Sequence, residues 1–225
     1  MALIVTSGFP RDMPERDDGV LPFENASFDP LYQQTKAPLR GGLVQVANIG
    51  TELWKISFKT HAMEYEDALD YAAWLHSLRG GARLFKAWHP LLAYPINYPD
   101  GFAGMTRAGG GAFDGTCTLT AIGGSRDTIT LSTLPAAYVF KRGDMVSFPM
   151  GSSQTLHRVV ASATADGTGD ATLTVEPTIP LAATTSVTAV LVKPWCLAVL
   201  DAESVNGPFE PGQIGRVQFS AVQTF

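Results

Sequence analysis

Charge is what this chain has least of. Only 16% of its 225 residues are Asp, Glu, Lys or Arg, where about a quarter is usual. Its 21 acidic and 16 basic residues leave a net charge of -5. No basic run occurs, and the one local pair, Lys141-Arg142, falls in a turn pattern, so the footprint of a nucleic-acid binder is missing. Cysteine is almost as scarce. Cys117 and Cys196 lie far apart with no metal-ligating neighbour, which excludes a disulfide scaffold and a cysteine zinc site. They read as small buried hydrophobes in a reducing compartment, with a bridge between them left open. No stretch approaches the roughly 20 apolar residues of a membrane helix, so no membrane insertion is expected. The apolar opening Met1–Thr6 is short and has no basic flank; it reads as a strand rather than a signal peptide.

Catalytic patterns are lacking too. His61, His76, His89 and His157 form no HxxxH or HExxH string. Gly123-Gly124-Ser125 and Gly151-Ser152-Ser153 do not complete a nucleophile elbow. Among the carboxylates, Asp67 and Asp70 belong to a helix start and Asp144 to a turn, which leaves no facing pair of the glycosidase kind. Asp166-Gly167-Thr168-Gly169-Asp170 lacks the ligands of a calcium loop. Gly109–Gly111 do not follow a strand and open a helix, as a phosphate loop would. The sequence therefore assigns no catalytic, cofactor-binding or metal-ligating residue, and no enzyme is expected.

What the chain does have is Thr, Ser, Gly and Asn, a mix suited to β-structure and protein contacts. The most patterned stretch is Leu39–Pro90. Trp54, Ile56 and Phe58 alternate with Lys55, Ser57 and Lys59, the period of a strand with one buried face. Leu43, Val44 and Val46 precede them, and Ala47-Asn48-Ile49-Gly50-Thr51 between the two runs predicts a hairpin turn. From Glu64 the period lengthens: Tyr65, Ala68, Leu69, Ala72, Leu75 and Leu78 recur at helical spacing. Glu64, Glu66, Asp67 and Asp70 suit the positive end of the dipole, and Arg79-Gly80-Gly81 closes the other end. The spacing predicts a helix over 64–78 that packs on a sheet through Leu69, Ala72 and Leu75, followed by a strand from Ala82 to Trp88.

Around this centre the chain divides. Gly8–Pro30 is rich in proline and charge yet holds Phe9, Leu21, Phe23 and Phe28. Two readings stand: an arm ordered against a neighbouring subunit, or a loop folded back on its own domain. The Pro-rich run after Trp88 and the glycines of 101–115 mark a boundary. Thr116–Val192 then reads as six short strands with turns between them, a small closed barrel or sandwich. Trp195–Leu200 and Gly215–Val222 resume strand patterns. The expected architecture is mainly β with one amphipathic helix: a domain made from 1–103 and 194–225, carrying a small β-domain inserted at 104–193.

Several strings in this arrangement resemble distal tail proteins of long-tailed bacteriophages. They are Gly41-Gly42-Leu43-Val44-Gln45, Trp54-Lys55-Ile56-Ser57-Phe58, and the helix from Glu64 to Gly80 leading into Ala82-Arg83-Leu84-Phe85. Gly143-Asp144-Met145-Val146-Ser147-Phe148, Leu156-His157-Arg158-Val159-Val160 and Asp170–Pro177 carry it through the insert, so the likeness spans roughly 38–225.

The resemblance implies a tail-tube-like β-sandwich flanked by a helix, with the inserted domain pointing outward. It also implies a structural role in the virion, at the baseplate or tail tip of a siphophage-type tail, after assembly in the host cytoplasm. The expected partners are copies of itself in a homo-oligomeric, hexameric ring, then the tail tube and tape measure proteins and the tip hub and fibre proteins. DNA would pass through the lumen without specific binding, which an acidic, low-charge surface suits. The alternative reading is a carbohydrate- or receptor-binding β-module with Trp88, Tyr94, Tyr98 and Phe102 as a stacking surface.

Overall fold

The computed structural model describes residues 3–4, 9–16, 21–38, 40–206 and 215–225. Its first half contains β1 (Leu3–Ile4), β2 (Arg11–Asp12), β3 (Glu15–Arg16), β4 (Phe23–Leu31), β5 (Gln34–Pro38), β6 (Val44–Asn48), β7 (Leu53–Thr60), α1 (Tyr65–Ser77) and β8 (Phe85–Trp88). There follow β9 (Thr116–Ile122), β10 (Thr128–Ser132), β11 (Val139–Phe140), β12 (Met145–Met150), β13 (Ser153–Val159), β14 (Ala163–Thr164), β15 (Ala171–Glu176) and β16 (Val187–Val190). Strands β17 (Trp195–Asn206) and β18 (Gln218–Gln223) end the series. The fold is mainly β with one α-helix and a small closed barrel, as the sequence patterns predict.

Six strands form one sheet in the order β2-β8-β17-β18-β7-β4, antiparallel except for β2 against β8. Alternation sorts its two faces. On β7, Trp54, Ile56, Phe58 and Thr60 are buried, while Lys55, Ser57 and Lys59 face the other way. Helix α1 lies on the buried face: the rings of Tyr71 and Trp74 stand 6.1 and 6.0 Å from that of Phe219, and Trp74 sits 5.5 Å from Phe85.

The helix buries Ala68, Tyr71, Trp74 and Leu75. This corrects the expected packing face, because Leu69 is 43% exposed and Ala72 only half-buried. Tyr71 and Trp74 carry far more apolar area than an aliphatic stripe containing an alanine, so the helix rotates to bury the rings. Its C-terminal turn needs glycine. Gly81 has φ 94°, and a Cβ there would lie 2.6 Å from the Leu200 carbonyl oxygen.

The expected hairpin between Val44 and Phe58 is also corrected. Strand β6 pairs with β5, and β7 pairs with β4 and β18. The segments β4-β5 and β6-β7 are the two legs of one long hairpin that reverses through Gly41 and Gly42. Residues 49–52 are a break in the returning leg, just after Asn48, where Ile49 N–H donates to the Gln33 carbonyl at 2.8 Å. A mid-leg break and a reversal use the same residues, Asn and Gly, so composition alone did not separate them.

Of the N-terminal strand, Leu3–Ile4 is described and pairs with Glu15–Arg16; the rest of that expectation lies outside the described residues. The described part of 8–30 folds back on its own chain, with Met13, Leu21 and Phe28 buried in the sheet core.

Strands β10-β15-β13-β12-β16-β9 close into a barrel, which leaves no free edge among these strands. Leu119, Ile129, Leu131, Val146, Phe148, Leu173 and Val175 fill it. The barrel's strands all lie between 116 and 190, and the sheet takes strands from both sides of that span. The two units nevertheless share contacts. Met145 and Leu156 belong to the sheet's core. Glu52 Oε2 accepts from Thr178 N–H at 2.9 Å and from its hydroxyl at 3.2 Å. The buried Asp144 carboxylate accepts from Ile96 N–H and Lys141 N–H, both at 2.8 Å.

Candidate assembly surface

The distal part of the hairpin, β5 with β6, stands alone as a two-stranded sheet in which every residue is exposed. A lone two-stranded ribbon is marginal in water, and this one with its flanks exposes several large apolar side chains as well. Leu43 is 71% exposed and Ile49 70%, and Val44 and Val46 lie open beside them. Among the described residues both strands present an unpaired edge, the feature that templates pairing with another chain. Sequence reasoning missed this element, although a signal existed: Tyr32–Thr51 holds Lys36 and Arg40 but no carboxylate, in an acidic protein.

The other long edge is protected. Strand β4 borders the six-stranded sheet, and Arg158 donates to its Phe28 carbonyl at 3.3 Å. The imidazole of His89 lies 5.3 Å from the ring of Phe28 on the same strand. A side chain thus occupies one of the carbonyls through which β4 would add a strand.

Among the described residues, the sheet face away from the helix carries no second layer over Lys55, Ser57, Gln218 and Ser220, which are exposed or half-buried. At its β8–β17 end lies a groove of about 650 Å³ lined by Phe9, Arg83, Leu84, Lys86, Leu197 and Phe225. A second cleft, about 700 Å³, is bordered by Tyr94, Asp100, Phe102 and Asp114.

Residues weighed for chemistry are dispersed. His157 is buried, stacked 5.1 Å from Phe148, with Nδ1 2.8 Å from the Pro177 carbonyl; desolvation lowers its pKa to about 4. Burial, then the charge of Arg158, lowers that of His89, whose Nδ1 accepts from Leu91 N–H. His76 is exposed on the helix. Asp166 Oδ1 accepts from the Thr168 hydroxyl, Thr168 N–H and Asp170 N–H, bonds internal to its loop. Among the described residues no cluster of His, Cys, Asp and Glu could hold a metal ion, and no helix is long and apolar enough to cross a membrane. Cys117 and Cys196 are buried and unbridged; burial lifts the Cys117 thiol to about 12 and raises that of Cys196 as well.

The four aromatics weighed as a sugar platform do not share one exposed surface. Trp88 and Phe102 are buried, and Tyr98 stacks on Tyr138 at 4.5 Å, leaving Tyr94 as the open ring. Comparison with protein-family models and with curated proteins gives no match.

Proposed function

We propose that this chain is a structural subunit of a phage tail tip, a distal tail protein that forms a homo-oligomeric ring continuing the tail tube and joining it to hub and fibre proteins. One observation carries the reading: a projecting, apolar, carboxylate-free hairpin with open edges, on a chain whose other long sheet edge is capped. An element of this kind is stabilised by a neighbour that covers its side chains and pairs its edges. A ring of identical subunits supplies such a neighbour to every copy at once. The sequence likeness to distal tail proteins supports the particular ring, a hexamer in contact with the tail tube and tape measure proteins, carried in the virion and built in the host cytoplasm. DNA would pass its lumen without specific contact. The role is structural rather than enzymatic.

The test is to shorten the hairpin. Residues 34–48 are removed and Gln33 is joined to Ile49 through a Gly-Ser turn, a closure their main-chain hydrogen bond makes short. The expected product melts like the parent and stays monomeric at concentrations where the parent forms rings. A shortened chain that still assembles would contradict the role given to the hairpin.

A further inference from the structure

We infer that a second contact joins successive copies: the outer stripe of α1 in one subunit docks in the groove at the β8–β17 end of the next. This rests on the ring reading above and names a pair of surfaces for it.

The groove has a distinctive chemistry. Phe9, Leu84, Leu197 and Phe225 give it an apolar lining, and Phe9 and Phe225 are close to half exposed. Cations surround it. The Arg83 guanidinium lies 4.3 Å from the Phe9 ring centroid, with Nη1 donating to the Ser77 carbonyl at 3.3 Å, and Lys86 stands 5.3 Å from the Trp195 ring. Lys86 pairs with Asp12 at 3.0 Å, while Arg83 has no carboxylate partner among the described residues. An apolar trough with Arg83 and Lys86 at its border, the former without a carboxylate partner among the described residues, selects an apolar ridge flanked by carboxylates.

The chain carries such a ridge. Glu66, Leu69, Asp70, Ala73 and His76 follow one another at helical spacing along the solvent side of α1, and all are exposed. Leu69 and Ala73 form its crest. Glu66 and Asp70 flank them, and neither is in an ion pair among the described residues. The groove and the ridge match in shape class and in sign.

Their placement decides the kind of contact. Phe85 and Ala87 face the helix, so Lys86 and its partner across the ladder, Leu197, face the opposite side. Ridge and groove therefore lie on opposite faces of the same sheet and cannot meet within one subunit. Joining them between copies is a heterologous contact, which propagates head to tail and closes into a ring when the rotation allows.

Complementary charge variants test this. Arg83→Glu with Lys86→Glu inverts the groove, and Glu66→Lys with Asp70→Lys inverts the ridge. Each double variant alone should need at least about a hundredfold higher concentration to assemble, since like charges are then juxtaposed. An equimolar mixture of the two should assemble again, because each groove then meets an opposite ridge. Leu69→Arg, at an exposed site, should lose assembly with an unchanged melting temperature, which guards against misfolding as the cause. Wild-type assembly by either charge variant alone overturns this contact and leaves the hairpin-based ring standing. A wild-type chain that never assembles would instead remove the ring reading itself.

Discussion

The indole N–H of Trp54 donates to the main-chain carbonyl of Leu156, 2.7 Å away, and thereby ties strand β7 of the open sheet to strand β13 of the barrel. The two residues are 1% exposed, and the Arg158 guanidinium lies over the same indole at 5.2 Å. The joint between sheet and barrel is therefore a buried polar bond inside an aromatic setting, where water cannot replace a lost partner. Trp54→Phe keeps most of the ring but strips the donor. It should lower stability by about 1–3 kcal/mol, the cost of leaving a buried carbonyl unpaired. Urea unfolding measures it, and a loss within error of zero would mean the bond does not hold the two units together.

Two leucines on the same helix should respond in opposite ways. Leu75 is buried against the sheet, whereas Leu69 is open to solvent. Leu75→Asp places an unpaired carboxylate among apolar neighbours and should abolish soluble expression. Leu69→Asp should leave the melting temperature unchanged, with an effect within about 0.5 kcal/mol. Equal damage from both substitutions would overturn the assigned packing face.

Acid should weaken the fold through His157. Its burial holds the folded-state pKa at about 4, below the value of about 6.5 in an unfolded chain. The unfolded state therefore binds a proton that the folded state refuses across this interval. Stability from this source is complete above about pH 6.5 and is lost as pH falls toward about 4, by roughly 3 kcal/mol in all. The lowered pKa of His89 acts in the same direction, while the raised one of Asp144 acts against it. Urea midpoints compared at about pH 7.5 and about pH 5 should fall more for the parent than for His157→Gln. Equal falls would place the acid response elsewhere.

Much of this fold was legible from residues alone, and the failures have a common cause. Period-two alternation at Trp54–Lys59 located a buried sheet face, and the short β runs of 116–192 announced a small barrel or sandwich, because burial on one face writes itself directly into sequence. Helix α1 was visible in the same way, but its rotation was not. Tyr71 and Trp74 carry polar atoms, so they rank lower as core markers than Leu69, yet their rings fill the space over Phe219. The hairpin was misread because Asn48 and Gly50 at its mid-leg break resemble a turn, and its outer half exposes Leu43, Val44, Val46 and Ile49 rather than burying them. That pattern makes sense as sequence only when a surface outside the subunit is counted. The candidate surface was thus the part least accessible to reasoning about one chain.

The central claim is that this subunit forms a closed ring, and the mass of the purified particle tests it most directly. Sedimentation velocity combined with mass measurement on the intact chain should give a single discrete species at six times the subunit mass of 24.0 kDa, lost when residues 34–48 are removed. A parent chain that remains monomeric at every concentration reached, hairpin intact, would contradict the account.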